Sequence, residues 1–378
     1  MIVCNNSSRS MAIVLSILCG GFGSAIFGGD ISTVAGTGQA GNNGDQGNAT
    51  SMHVAQPFGV EIGPDGALYV TEVGNHRIMR VDRKTNQLTT ITGTGKAGYS
   101  GNRQIAAKAV LREPYELRFA KNGDIYFVEM KNHIVRKIEA LTNTVSLVAG
   151  IGQAGFGGDG GAATAAALKN PHSIALDDQG YLYIADIGNH RIRRVNLATG
   201  IIDTIAGTGE KKLPTNGSLA RGYPLLGPRA LCFDKGVLWI ALREGHSVWS
   251  LNLSSGRLQH VAGTGEKGFT GDSGAPLQAT FNGPKGIAVG PQGRLFVVDT
   301  ENQAIRMIDL KQNKITTVCG FGPHGHGSGG DGSAATKAQM GRPHGICVDA
   351  NGVVYVGDTM NHRVRFFTAP TPRKNKVQ

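Results

Sequence analysis

Pro171-His-Ser-Ile-Ala-Leu-Asp-Asp-Gln-Gly-Tyr-Leu-Tyr-Ile-Ala-Asp186, followed by Asn189-His-Arg-Ile-Arg-Arg-Val195 and Ile202-Asp-Thr-Ile-Ala-Gly207, is the stretch that decides the fold. Short segments rich in Val, Ile, Leu and Tyr alternate with Gly- and Asn-bearing turns. This predicts four strands at Ser173–Asp177, Leu182–Asp186, Arg191–Val195 and Ile202–Gly207. No helical period competes over any long stretch. The same order of segments recurs along the chain. One marker is Gly36, Gly93, Gly150, Gly207, Gly263 and Gly320, with steps of 57, 57, 57, 56 and 57. A second is Pro57, Pro114, Pro171, Pro228, Pro284 and Pro343, with steps of 57, 57, 57, 56 and 59. Two independent markers keeping one spacing define six copies of a repeat.

A single four-stranded antiparallel sheet cannot cover both of its faces, but sheets set radially bury each face against a neighbour. Six copies therefore predict an all-β, six-bladed β-propeller over residues 31–367. The sixth repeat stops after its third strand, near Val364-Arg-Phe-Phe367, and the missing strand stands at the other end as Ile31-Ser-Thr-Val-Ala-Gly36. The expectation is a ring closed by the N-terminal strand completing the last blade, which removes two open sheet edges.

By length alone, 378 residues suggest two or three domains, but the repeat overrides that prior. At 40% hydrophobic the chain can build a large core, and its 57 glycines fit many tight turns. The net charge of +11 permits anionic partners without choosing among them. Five cysteines without a CxxC make a poor disulfide framework, and Cys232 and Cys347, at equivalent repeat positions, read as buried free thiols. Arg9, the apolar run Met11–Cys19 and the small residues Gly23 and Ala25 have the layout of a signal peptide over residues 1–25. The run is short for a membrane span. The expected location is secreted or cell-envelope. An uncleaved anchor is the alternative, and a lipoprotein ranks lower because Leu18 precedes Cys19. Residues 368–378 form a basic tail.

Asn75-His76-Arg77-Ile78, Asn189-His190-Arg191-Ile192 and Asn361-His362-Arg363-Val364 resemble the signature of NHL repeats. Weaker copies are Asn132-His133, Gly245-His246 and Asn302-Gln303, and an acid precedes most of them: Glu72, Glu129, Asp186, Asp299 and Asp358, with Leu242 in blade 4. The resemblance implies the propeller but no single activity, since such propellers include RNA regulators, adhesion modules and peptide-amidating lyases. A catalytic set is needed once, not five times, so the acid–Asn–His–Arg unit reads as structural, with the acid pairing the Arg.

Function belongs where the repeats differ. The position after the recurrent Pro holds Phe58, Tyr115, His172, Arg229, Lys285 and His344, six residues expected to ring one mouth of the channel as a ligand pocket. Three positions further on stand Glu61, Arg118, Ala175, Cys232, Ala288 and Cys347, in which Glu61 and Arg118 are expected to pair inside the channel. Pro171-His172 and Pro343-His344 are similar to the zinc-ligating strand starts of the amidating lyases. That pattern uses three His and here there are two, beside Arg229 and Lys285, so the expectation is no resident metal, with His172 and His344 as weak zinc candidates. The Gly-Asp loops at Asp45, Asp159, Asp272 and Asp331 suggest calcium, but each offers one acid, and capping of a following helical turn is the preferred role.

The leading expectation is an extracytoplasmic binding scaffold for a peptide, glycan or protein, without a catalytic residue. The alternative is a metal-dependent lyase or lactonase using His172 and His344. Nucleic-acid binding ranks last, because a secreted protein seldom meets RNA. Blade 4, with Lys211-Lys212-Leu-Pro-Thr-Asn in its loop and Trp239 and Trp249 in its strands, diverges most and is a candidate partner contact.

Overall fold

A computed structural model describes residues 29–370. The signal reading at 1–25 and the tail from 371 onward lie outside the described residues. Six antiparallel sheets are formed. The third runs Ile174–Leu176, Tyr181–Asp186, Arg191–Asn196 and Ile202–Ala206 from the axis outward, within two residues of the sequence expectation. Contacts between innermost strands run 1–2, 2–3, 3–4, 4–5, 5–6 and 6–1, which closes the ring. The seam is as expected: Ile31–Ala35 pairs antiparallel with Arg363–Thr368 as the outer strand of blade 6. Blades 1 and 2 gain a short fifth strand from their incoming loops, Gln46–Asn48 and Gln104–Ile105. Apolar side chains from adjacent sheets merge into six clusters, so the core is spread between blades.

The recurrent residues do structural work of three kinds. The marker glycines at 36, 93, 150, 207, 263 and 320 all have positive φ, and a Cβ on any of them would overlap the carbonyl oxygen of the neighbouring turn residue. Only Gly satisfies both demands. The signature histidines sit in left-handed turns, and each Nδ1 accepts the backbone N–H of the residue before the next blade's Pro. The pairs are His76 with Glu113 (3.2 Å), His133 with Asn170 (3.1 Å), His190 with Gly227 (3.1 Å), His246 with Gly283 (3.0 Å) and His362 with Gln56 (3.3 Å). In blade 5 the Gln303 side-chain oxygen takes the same role toward Arg342, at 2.6 Å. Six staples thus run around the ring, and the one from His362 joins the last blade to the first.

The third device is a buried ion pair between second and third strands: Glu72–Arg77, Glu129–Arg136, Asp186–Arg193, Asp299–Arg306 and Asp358–Arg365, all fully buried. The signature Arg is the partner only in blade 1. In blades 3 and 6 the partner stands two residues later. Asp186 faces Arg191 in register, but Arg191 turns outward to the Thr208 carbonyl and the Phe156 ring. The loop aspartates also take another role from the one expected. Asp159, Asp272 and Asp331 bind the same arginines at 2.7, 2.9 and 2.7 Å, and the 3₁₀ turns at Ala163–Ala165, Pro276–Gln278 and Ala335–Lys337 have no side-chain cap. A fully buried guanidinium demands several acceptors, and the loop supplies the second carboxylate.

Candidate functional site

The six residues after the recurrent prolines do converge. Phe58, Tyr115, His172, Arg229, Lys285 and His344 line one cavity of about 330 Å³ at the channel mouth. Each stands at the start of its blade's innermost strand or one to two residues before it, so the ring geometry brings them together from positions spread along the chain. Small residues behind them allow the strands to approach closely; Gly345 donates its N–H to the Phe58 carbonyl at 2.9 Å, where a Cβ would collide.

The ring has two chemically distinct arcs. His344, Phe58, Tyr115 and His172, on blades 6, 1, 2 and 3, form a continuous aromatic series with centroid separations of 4.0, 4.4 and 4.8 Å. Arg229 and Lys285, on blades 4 and 5, supply charge. Lys285 is paired with Glu301 at 2.6 Å, and burial lowers it to about 8. Arg229 is 4% exposed, has no ion pair or hydrogen bond among the described residues, and is lowered by burial to about 10, so it stays charged at neutral pH. Its guanidinium lies 5.5 Å from the centre of the Tyr115 ring.

Both histidines are neutral. The Nδ1 of His172 lies 2.6 Å from the Asn170 carbonyl and that of His344 lies 2.8 Å from the Arg342 carbonyl, so Nδ1–H donates in each. Burial, and then the neighbouring Arg229 and Lys285, holds both well below the ordinary imidazole range. Nε2 is left as an acceptor without a partner among the described residues. Among the described residues no group of three or more His, Cys, Asp or Glu converges. Two imidazoles on opposed blades beside two cations do not fit a zinc centre.

Further lining residues include Arg243, Arg342, Glu113 and Thr359. Arg243 and Thr359 directly follow the second-strand acid position, and Glu113 and Arg342 directly precede the Pro. Both positions also vary between blades, and that signal could have marked them. Arg243 is neutralised by Glu244, and Arg342 by Glu301 at 2.7 Å.

The inner-channel pair forms. Arg118 lies 3.3 Å from Glu61, is bound more closely by Glu116, and reaches the Leu231 carbonyl of blade 4 at 3.2 Å. Burial raises Glu61 above its ordinary value, with Arg118 opposing. A second cavity of about 170 Å³ sits here, lined by Glu61, Arg118, Ala175, Cys232, Ala288 and Cys347 among others. Cys232, Cys319 and Cys347 are free thiols. No helix among the described residues is long and apolar enough to cross a membrane.

Six four-stranded blades, closed by the first strand, define the class: a six-bladed β-propeller. The family named Teneurin NHL domain matches residues 130–220, and NHL repeat matches 281–306 and 340–367. NHL repeat-containing protein 2 of Gallus gallus is 27% identical over 80% of this chain, which spans 45% of that relative's length. These matches, with the six closed blades, support an NHL-repeat six-bladed propeller. Among solved structures, an auxiliary nutrient binding protein of Bacteroides ovatus superposes with a TM-score of 0.64 at 15% identity, over 91% of this chain and 78% of that one. A virginiamycin B lyase of Staphylococcus aureus gives 0.51 at 16%, over 86% and 98%. At such identities the likeness is one of fold.

Proposed function

We propose that this propeller is a binding scaffold that receives its ligand at the channel mouth. The observation that carries this reading is the convergence of six unlike residues on one cavity, while the residues shared by the blades are engaged in folding. Buried apolar wall, fixed acceptors and a few charges are the usual make-up of a ligand pocket. The N-terminal sequence supports placement outside the cytoplasm, and a peptide, glycan or protein segment would enter from the mouth. A thermal-shift screen tests the site. Ligands should raise the Tm of the wild-type chain and lose that effect in Phe58→Ala/Tyr115→Ala. Ligands that act equally on both, and fail instead when Lys211 and Lys212 are changed, would move the site to the blade 4 loop.

A second reading, an enzyme of lyase or lactonase type, is favoured by the two unpartnered Nε2 atoms of His172 and His344. Metal analysis separates the two. Stoichiometric zinc or calcium, lost in His172→Ala/His344→Ala, would replace the scaffold reading with the enzymatic one.

A further inference from the structure

We infer that the channel mouth is an anion receptor, and that its ligand is an amphipathic carboxylate: an oxyanion seated on Arg229, with a planar or apolar body against Phe58 and Tyr115. The inference rests on the mouth being the ligand site. It adds the chemical class.

Arg229 is the pivot. Its side chain is largely buried while its donors open onto the mouth cavity, so an incoming acceptor there displaces water and not a protein partner. Of the six other buried arginines, Arg77, Arg136, Arg193, Arg306 and Arg365 each hold at least one carboxylate, and Arg294 donates to the Pro291 and Pro370 carbonyls. Arg229 holds none, and it lines a cavity. The other mouth cations are already matched: Lys285 and Arg342 by Glu301, and Arg243 by Glu244. Three carboxylates, Glu113, Glu244 and Glu301, stand at the mouth against the four cations Arg229, Arg243, Lys285 and Arg342, and Glu301 is shared by two of them. The surplus is positive, and neutral His172 and His344 do not reduce it. A planar fork of donors matches a carboxylate in two-point fashion.

The rest of the ligand follows from the opposite arc. Tyr115 lies below the Arg229 guanidinium and in contact with Phe58, so an anion on Arg229 places whatever it is bonded to against aromatic faces. A hydrated inorganic anion would waste that wall. The free Nε2 atoms of His172 and His344 add acceptors for a hydroxyl or N–H on the same molecule.

Calorimetric titration of the full chain with phenylacetate, phenylacetamide and acetate tests this. Phenylacetate should bind at least roughly tenfold more tightly than either of the others. Arg229→Gln should remove that advantage, weakening phenylacetate much more than phenylacetamide, and Arg229→Lys should retain part of it. Circular dichroism confirms that both variants fold, and Arg229→Lys carries the test should Arg229→Gln unfold. Equal binding of acid and amide, both weakened by Phe58→Ala, would overturn the anion assignment and leave the mouth as the ligand site. Acetate binding as tightly as phenylacetate, with the same dependence on Arg229, would overturn the aromatic half. Failure of all three probes at millimolar concentration would overturn the inference, while the thermal-shift comparison still decides whether the mouth is the site.

Discussion

In blade 3 the space between the second and third strands holds Asp186 and Arg193; in blade 4 the same two positions hold Leu242 and Trp249. Asp186 accepts from the Lys169 backbone at 2.7 Å and from Asn189 at 2.8 Å, and Arg193 reaches out to Asp159 in the incoming loop. Burial nevertheless pushes Asp186 up to about 6. In blade 4, Leu242 and Trp249 join one apolar cluster, and the indole N–H is satisfied by Ser247 at 3.0 Å. The incoming loop of blade 4 has no Gly-Asp either. Acid, arginine and loop aspartate are absent together in blade 4, whereas blade 2 keeps the acid and arginine and its loop offers the Ser100 and Gly101 carbonyls in place of a carboxylate. The arginine is a clasp between blade and loop, and where the loop is differently built the clasp has no second jaw and an apolar pair replaces it. Buried ion pairs contribute little net stability over a well-packed apolar substitute, but half of one is costly.

The largest expected effect comes from breaking a clasp. Arg193→Leu leaves Asp186 buried without a countercharge and should cost about 3–5 kcal/mol, read from urea unfolding. Installing half a clasp where there is none, Leu242→Asp, should lose a similar amount, on the order of 3–5 kcal/mol. A much smaller loss in either would mean that water reaches the site. Next, Asp186→Leu/Arg193→Trp converts blade 3 to the blade 4 solution and should recover most of the stability lost in Arg193→Leu. If the double variant were as unstable as the single one, the apolar pair would depend on blade 4's own surroundings.

The smallest effect concerns the staples, in which blade 5 is the exception. Burial holds His76, His133, His190, His246 and His362 below the ordinary value of 6.5. Each is therefore neutral in the fold and takes its proton at lower pH than in the unfolded chain. The stability so gained is complete above pH 6.5 and is lost as pH falls below it. His246→Gln, copying Gln303, should flatten the slope of Tm against pH between 6.5 and the folded values. An unchanged slope would show that the acceptor role of Nδ1 is not what couples blades to pH.

The blade count, the strand positions, the closing strand and the membership of the mouth were legible in the sequence because each depends on spacing alone. The Glu61–Arg118 contact was legible because two isolated charges at equivalent positions of adjacent blades have few other partners. The clasp was not. Arg191 and Arg193 lie on one face of one strand, and only three-dimensional reach decides which of them meets Asp186. The loop Asp159 sits 34 residues from Arg193, a spacing kept by Asp272–Arg306 and Asp331–Arg365, but a constant separation in a repeat does not by itself say that two positions touch. Arg243 and Arg342 escaped notice because they stand beside the recurrent residues, where attention falls on what repeats.

The seam between Ile31–Ala35 and Arg363–Thr368 also has a meaning in time. Ile31 pairs with Phe367, so an early segment of the ribosomal product waits for nearly all the rest before it finds its place. At roughly 5–20 residues per second, that interval is on the order of tens of seconds. During it the blades can form one after another as they emerge, but blade 6 has only its outer strand until its other three are made, and the ring stays open. Ring completion thus reports that synthesis has passed Phe367: a product cut short of it can hold blades, but not the closed circle on which the mouth depends.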